Sequence, residues 1–493
     1  MFPSKPVEQL VPANYNYPAP LPLGGRISEN QIKRHIAKLS PHKATGTDKV
    51  PNIVLKECAD LVLPYLLQVF RAVFKLKVYH AQWREIITCV LRKPGKPCYD
   101  MPKAYQPITL LNTIAKLLTS VIAEELSILV ETHQLLPVTH FGGRPSCMMT
   151  DSLHLLMDTV KAVWQKKQVV STLFLDVEGA FPNAVTHRLL HNMKKRRVPA
   201  AYVAFISNLL TGRRTHLKFD DYTLDWFDLD SGIGQGDPLS MLLYLFYNAD
   251  LLDIAVGWNE KALGYVDDIA LVVFTKNFTQ THRILKNMML QPKGAFRWSK
   301  SHNSHFETTK SVIIDFSRSK SIERPPLSLR GTVIPAQASH KFVGVMVDQE
   351  LQWAQHADYA TAKATKWMLA FHRLVRPSAG IRPRLLHQMY NAMAIPKMTY
   401  AADVWYTPVY RIEGRQKRSG SVGITRRLTS IQHLATTAIT GALQSTATDV
   451  LDLHANVLSI ELLLHCVCHR AAVRLAMLPA SHPLAPVFRM RAK

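Results

Sequence analysis

The chain has 493 residues, 60 Lys and Arg against 36 Asp and Glu, and a formal net charge of +24. Hydrophobic residues make up 47%, ample for a multi-lobed globular enzyme, and a pI near 9.8 implies a polyanionic partner. No run of 18 apolar residues and no secretory pattern excludes a membrane span and an exported chain, and the six scattered cysteines point to a reducing compartment, nucleus and/or cytoplasm.

In chain order, residues 1–26 carry Pro3, Pro6, Pro12, Pro18, Pro20 and Pro22 and read as a disordered or extended leader. Residues 27–165 read as mostly helical with short strands. Val169 to Asp176 is a buried strand ending in one acid. Gly179 and Pro182 break it, and Val185 to Lys195 carries a helical pattern. The cluster Lys194-Lys195-Arg196-Arg197 is either a phosphate-binding patch or a solvated face. Asp220-Asp221, beside Lys218, Tyr222 and Thr223, reads as an exposed hairpin loop. Gly234 and Gly236 flank Gln235 in a glycine-rich loop expected to open a helix.

Tyr265-Val266-Asp267-Asp268 is the most informative feature. Two acids sit between the apolar runs Ala262–Val266 and Ile269–Phe274, which read as two buried strands joined by a tight hairpin. Adjacent carboxylates repel, and one pKa rises unless a cation neutralises them. Oxygen ligands favour Mg²⁺. Asp176, at the end of another core strand, can complete a two-metal site that clamps both oxygens of a phosphoryl displacement. A solvated hairpin tip and a helix N-cap are the plainer readings of each acid alone.

Farther on, residues 361–408 read as helical. Arg411, Arg415, Lys417, Arg418, Arg426 and Arg427, interleaved with Gly and Ser, read as a mobile basic loop over 411–427, and residues 428–485 as two or three helices. His465-Cys466-Val467-Cys468-His469 has poor spacing for zinc, because on a helix its histidines and cysteines do not share a face.

Phe174-Leu175-Asp176-Val177-Glu178-Gly179-Ala180-Phe181 resembles motif A of reverse transcriptases, Ser231 to Ser240 resembles motif B, and Gly264-Tyr265-Val266-Asp267-Asp268 resembles motif C, in the family's order. Lys43 to Asp48, Tyr105 to Asn112 and His140 to Ser146 with Thr150-Asp151 resemble the fingers of the non-LTR (LINE-type) retrotransposon polymerases. Phe342 to Val345 with Leu351-Gln352-Trp353 resembles their primer grip, and Pro396 to Trp405 their thumb. About residues 27–485 share the likeness.

The resemblance implies an α+β right-hand polymerase. Its expected layout is fingers at 27–165, palm with primer grip at 166–360, thumb at 361–410 and a C-terminal helical region at 428–493. It implies RNA-directed DNA synthesis from an RNA template, a DNA primer or target and dNTPs, with Mg²⁺, or Mn²⁺ in its place. Asp176, Asp267, Asp268 and the Val177 carbonyl would hold metal. Phe181 would exclude a 2′-hydroxyl, Gln235 and Gly236 would line the nucleotide site, and Lys310, in Thr308-Thr309-Lys310-Ser311, would protonate pyrophosphate. Gln106 stands where the family has an Arg that contacts the triphosphate, so Lys93, Lys96, Lys103 or Arg144 would have to compensate, or the chain is a weakened or inactive nucleic-acid-binding remnant. An RNA-dependent RNA polymerase and a group II intron-type maturase are the competing enzymes. After residue 410 the acids are too few and scattered for ribonuclease H, and target cutting is expected from a separate endonuclease.

Overall fold

The computed structural model describes residues 11–307, 310–319, 321–374, 380–414 and 417–491. Pro3, Pro6, Thr308, Thr309 and Arg415, named above, lie outside them. Near the start, α1 (Glu29–Lys38) opens on a capping box between Ser28 and Gln31. It packs with α2 (Ala59–Leu76) and α3 (Thr113–His133), whose buried positions recur at helical spacing. Between these helices, β1 (Glu85–Arg92) pairs antiparallel with β2 (Tyr105–Leu110). Two of the finger segments meet here. The Asp48 carboxylate accepts from Thr113 N at 2.7 Å, capping α3, and Asn112 Oδ1 accepts from the Thr47 hydroxyl at 2.6 Å.

Helix α4 (Met149–Gln165) leads into β3 (Val169–Glu178), then α5 (Thr186–Lys195) and α6 (Ala200–Leu210). β4 (Arg213–Phe219) returns to the first sheet, parallel to β1, with Glu85 opposite Arg214. The first sheet therefore draws on 85–110 and on 213–229, segments the sequence reading divided between fingers and palm. Local patterning carries no signal for this long-range parallel pairing. Asp220-Asp221 does turn a hairpin, with Asp220 at φ +49.

The other strands of the sheet that holds β3 follow α7 (Ser240–Leu252). β5 (Glu260–Tyr265) and β6 (Asp268–Thr275) form a hairpin, α8 (Phe278–Leu290) packs on it, and β7 (Val312–Phe316) completes the order β7–β3–β6–β5, all antiparallel. Both faces are covered, which is why the central strands β3 and β6 are mostly apolar. Leu173, Leu175, Leu271 and Val273 join the core with α5, α6 and α7. Val170, Phe174, Ala270 and Val272 join the core beneath α4 and the C-terminal helices.

The hairpin of β8 (Ser339–Phe342) and β9 (Val345–Asp348) precedes α9 (Ala354–His372), α10 (Val422–Thr440) and α11 (Ile460–Ala476). α11 is tied to α4 by Arg474, which donates to both oxygens of the wholly buried Asp151 at 2.5 and 3.2 Å.

Three expectations are corrected. Residues 15–21 of the leader are docked: Tyr17 Oη lies 2.7 Å from His191 Nδ1, Leu21 N donates to Arg197 O at 2.9 Å, and Leu21 is buried. An extended proline-rich segment has unpaired backbone groups to offer, and Arg197 takes them. The 411–427 stretch is not one loop, since 410–411 pairs with 418–419 and α10 begins at Val422, with Arg418 bound to Glu461 and Arg427 to Asp358. Finally, the 194–197 cluster works internally. Lys195 and Arg196 both bind Asp250, at 3.0 and 2.9 Å.

Candidate active site

Strand register brings the acids together. Asp176 of β3 stands directly opposite Asp268 of β6, so their side chains share one face of the sheet. Asp267 lies in the turn itself. Tyr265 pairs with Asp268, leaving a two-residue loop, Val266-Asp267. The sequence reading placed both acids at a hairpin tip, whereas Asp268 is the first residue of β6. Val266 sits at φ +59, a conformation such turns usually give to Gly, Asn or Asp.

Three carboxylates so placed repel. Burial, then its two acidic neighbours Asp267 and Asp176, raise the Asp268 carboxyl to about 6, and burial raises Asp267 with a further push from Asp176. Lys310 supplies the nearest cation, its ammonium 3.3 Å from Asp176 Oδ2 and bound also to Glu307. Glu307 is shared with Lys103, which also reaches Glu178 Oε1 at 2.8 Å. A chain of alternating charge thus crosses from the fingers to Asp176. The pairing with Glu307 raises the Lys310 ammonium and lowers the Glu307 carboxyl.

Glutamines and glycines form the other wall. Gln106 Nε2, on β2, donates to Gln235 Oε1 at 3.4 Å, and Gln235 O accepts from Thr109 N at 2.6 Å. Gly236, at φ +121, lies so near β2 that a Cβ there would stand 2.5 Å from Thr109 O. The helix expected to open at Gln235-Gly236 begins at Ser240, because Asp237 first turns its carboxylate onto Leu239 N at 2.9 Å. Phe181 stacks on Tyr244 of α7, centroids 4.8 Å apart, and its carbonyl accepts from Ile233 N at 2.8 Å.

Two predicted residues are placed elsewhere. Arg144 is spent on structure: its guanidinium makes a two-pronged pair with Glu131 at 2.7 and 2.8 Å and donates to Pro137 O and His140 O. Lys93 donates to Lys103 O at 3.2 Å on the outer end of β1. Sequence reading missed Glu307 and Tyr244, whose partners lie far along the chain. It named Lys103 only as one of several substitutes.

Among the described residues no three His, Cys, Asp or Glu side chains cage an ion by themselves. The donor set nonetheless fits a hard divalent cation whose other ligands come from substrate phosphates. It offers carboxylates, Asp268 and Asp267 are raised by burial and then by neighbouring negative charge, and an ammonium already rests on Asp176. The Val177 carbonyl suits the same set. The Asp176 carbonyl accepts from Glu307 N, and alternation along β3 turns the Val177 carbonyl toward the β5–β6 hairpin.

A family model described as reverse transcriptase (RNA-dependent DNA polymerase) matches residues 91–347, from the end of β1 to β9. The probable RNA-directed DNA polymerase from transposon X-element of Drosophila melanogaster is 26% identical over 383 residues, 76% of this chain and 41% of that protein. The RNA-directed DNA polymerase from mobile element jockey of the same fly is 23% identical over 391 residues, 78% of this chain and 42% of that protein. The chain spans about two fifths of the length of these curated relatives. No helix among the described residues is long and apolar enough to cross a membrane. With the matched segment covering the whole carboxylate site and more than half of the sequence, this chain belongs to the reverse transcriptase family.

Proposed function

We propose that this chain is the RNA-directed DNA polymerase of a non-LTR retrotransposon, extending a DNA primer with dNTPs on an RNA template. The observation that carries the reading is the convergence of Asp176, Asp267 and Asp268 from β3 and the β5–β6 hairpin on one end of the palm sheet. Asp176, Asp267 and the Val177 carbonyl would hold Mg²⁺, or Mn²⁺, with Asp268 beside them. Bound there, the metal would acidify the primer 3′-hydroxyl and offset charge on the leaving pyrophosphate. The chain's own part is positioning. Gln235 and Gly236 border the nucleotide through backbone held on β2. Phe181, fixed by Tyr244, stands where a 2′-hydroxyl would intrude. Lys310 is held at Asp176, within reach of a departing phosphate, and is the proton donor of this reading.

The test is extension of oligo(dT) on poly(rA) with Mg²⁺ and dTTP, beside Asp267→Asn. Extension by the wild type that the variant loses is the expected result. A folded wild type that binds RNA and extends nothing overturns it. That outcome would favour the second reading, a nucleic-acid-binding remnant, which Gln106 supports because its amide carries no charge toward a triphosphate.

A further inference from the structure

The residue just before Asp267 is held in a costly shape. Val266 adopts φ +59, which a β-branched side chain rarely does. Three contacts keep it there. Asn248 of α7 donates from Nδ2 to Val266 O at 2.5 Å. Asn248 Oδ1 lies 2.9 Å from His140 Nε2, and both side chains are wholly buried. Since the Asn248 amide nitrogen faces a carbonyl, its oxygen must accept, so His140 carries its proton on Nε2.

The third contact is backbone. Gly264 N donates to Thr139 O at 3.0 Å and Phe141 N to Gly264 O at 2.8 Å, which ties 139–141 to β5 beside the turn. Gly142 then presses on the turn itself: a Cβ there would stand 2.6 Å from Val266 Cγ2 and 2.7 Å from Val266 N. Among the described residues His140 Nδ1 is buried without a partner, and burial pulls the ring down to about 4, so it stays neutral. A buried amide–imidazole pair in an apolar core costs free energy unless its polar atoms find hydrogen-bond partners. What it touches is the carbonyl next to a catalytic carboxylate.

We propose that His140 and Asn248 are positioning residues, a brace from α7 and the 139–142 segment that holds Val266 in its strained turn and thereby sets where the Asp267 carboxylate stands. This rests on the polymerase reading for its catalytic consequence. The brace itself does not.

Asn248→Ala tests it in two backgrounds. Glycine adopts positive φ freely, so Val266→Gly removes the need for the brace. With Val266 present, Asn248→Ala is expected to lower kcat roughly tenfold to a hundredfold, while KM for dTTP and primer–template affinity stay near wild type. In the Val266→Gly background most of that loss is expected to vanish. Hydrogen exchange supplies the readout independent of turnover. In Asn248→Ala, exchange is expected to quicken in 262–270 and not along β7. If Asn248→Ala fails to fold, His140→Leu, which leaves Asn248 but removes its anchor, carries the same expectations. An unchanged kcat, a loss equal in both backgrounds, or exchange that rises evenly through α7 and the palm sheet overturns the brace. A wild type that never extends primer overturns the polymerase reading, and the exchange result then decides the brace alone.

Discussion

His140 should make this protein acid-sensitive by a calculable amount. Its ring is fully buried, and burial lowers its pKa from 6.5 to about 4. A base whose folded pKa is depressed binds its proton only after unfolding, so stability is full above 6.5 and is lost as pH falls toward 4. At pH 5 the unfolded imidazole is almost wholly protonated and the folded one about a tenth, an uptake of roughly 0.9 proton. Relative to pH 7 this removes about 2 kcal/mol of stability. The assay is potentiometric: proton uptake on unfolding in urea at pH 5, for the wild type and for His140→Gln, whose amide can still donate to Asn248 Oδ1. Proton counting needs no two-state assumption, which a chain this large is not expected to meet. The variant should take up about one proton fewer, and its midpoint should fall less steeply between pH 7 and pH 5. Equal uptake by both proteins would refute the reasoning, since His140 would then already be protonated in the fold.

Asp268→Asn should raise the melting temperature in EDTA at pH 8. Folding raises this carboxyl, so its charged form costs stability above about 6, and the gain should fade toward pH 4; a variant no more stable at pH 8 would contradict the repulsion. Phe181→Ala should reduce dNTP-over-NTP preference by roughly tenfold or more in single-nucleotide incorporation, because Tyr244 alone would no longer fill the space beneath the sugar. Arg474→Ala should cost about 3–5 kcal/mol, read as a lower denaturation midpoint, since Asp151 would remain buried without its guanidinium partner.

The three clustered acids were legible because each ends or interrupts a mostly apolar run, and a carboxylate at the edge of a buried strand demands an explanation whatever the fold. The central strands were legible from composition: a sheet covered on both faces needs mostly apolar sequence, as Ile269–Phe274 has throughout and Val169–Leu175 has apart from Ser171 and Thr172. Positions set by distant partners were not legible. Arg144 carries the same sequence signal whether it faces a triphosphate or Glu131, and only the fold decides. Lys195 and Arg196 look like a phosphate patch until Asp250 and Asp253, more than fifty residues on, pair with them. β4 joins β1 in parallel, a pairing that leaves no local trace.

Residues 265–268 gather what a stable protein avoids: two adjacent acids, a third acid opposite, and a β-branched residue at positive φ. None of this stabilises the free chain, and each element relaxes if left alone. The supports all come from outside the hairpin: Lys310 against Asp176, Asn248 and His140 against Val266, and Gly142 packed on the turn. Carboxylates that bind a cation tightly must be poorly neutralised before it arrives, so repulsion in the free state is the other side of affinity in the bound one. The strain therefore has to be carried by the surrounding fold, and the residues that carry it are as much a part of the site as the acids that they hold.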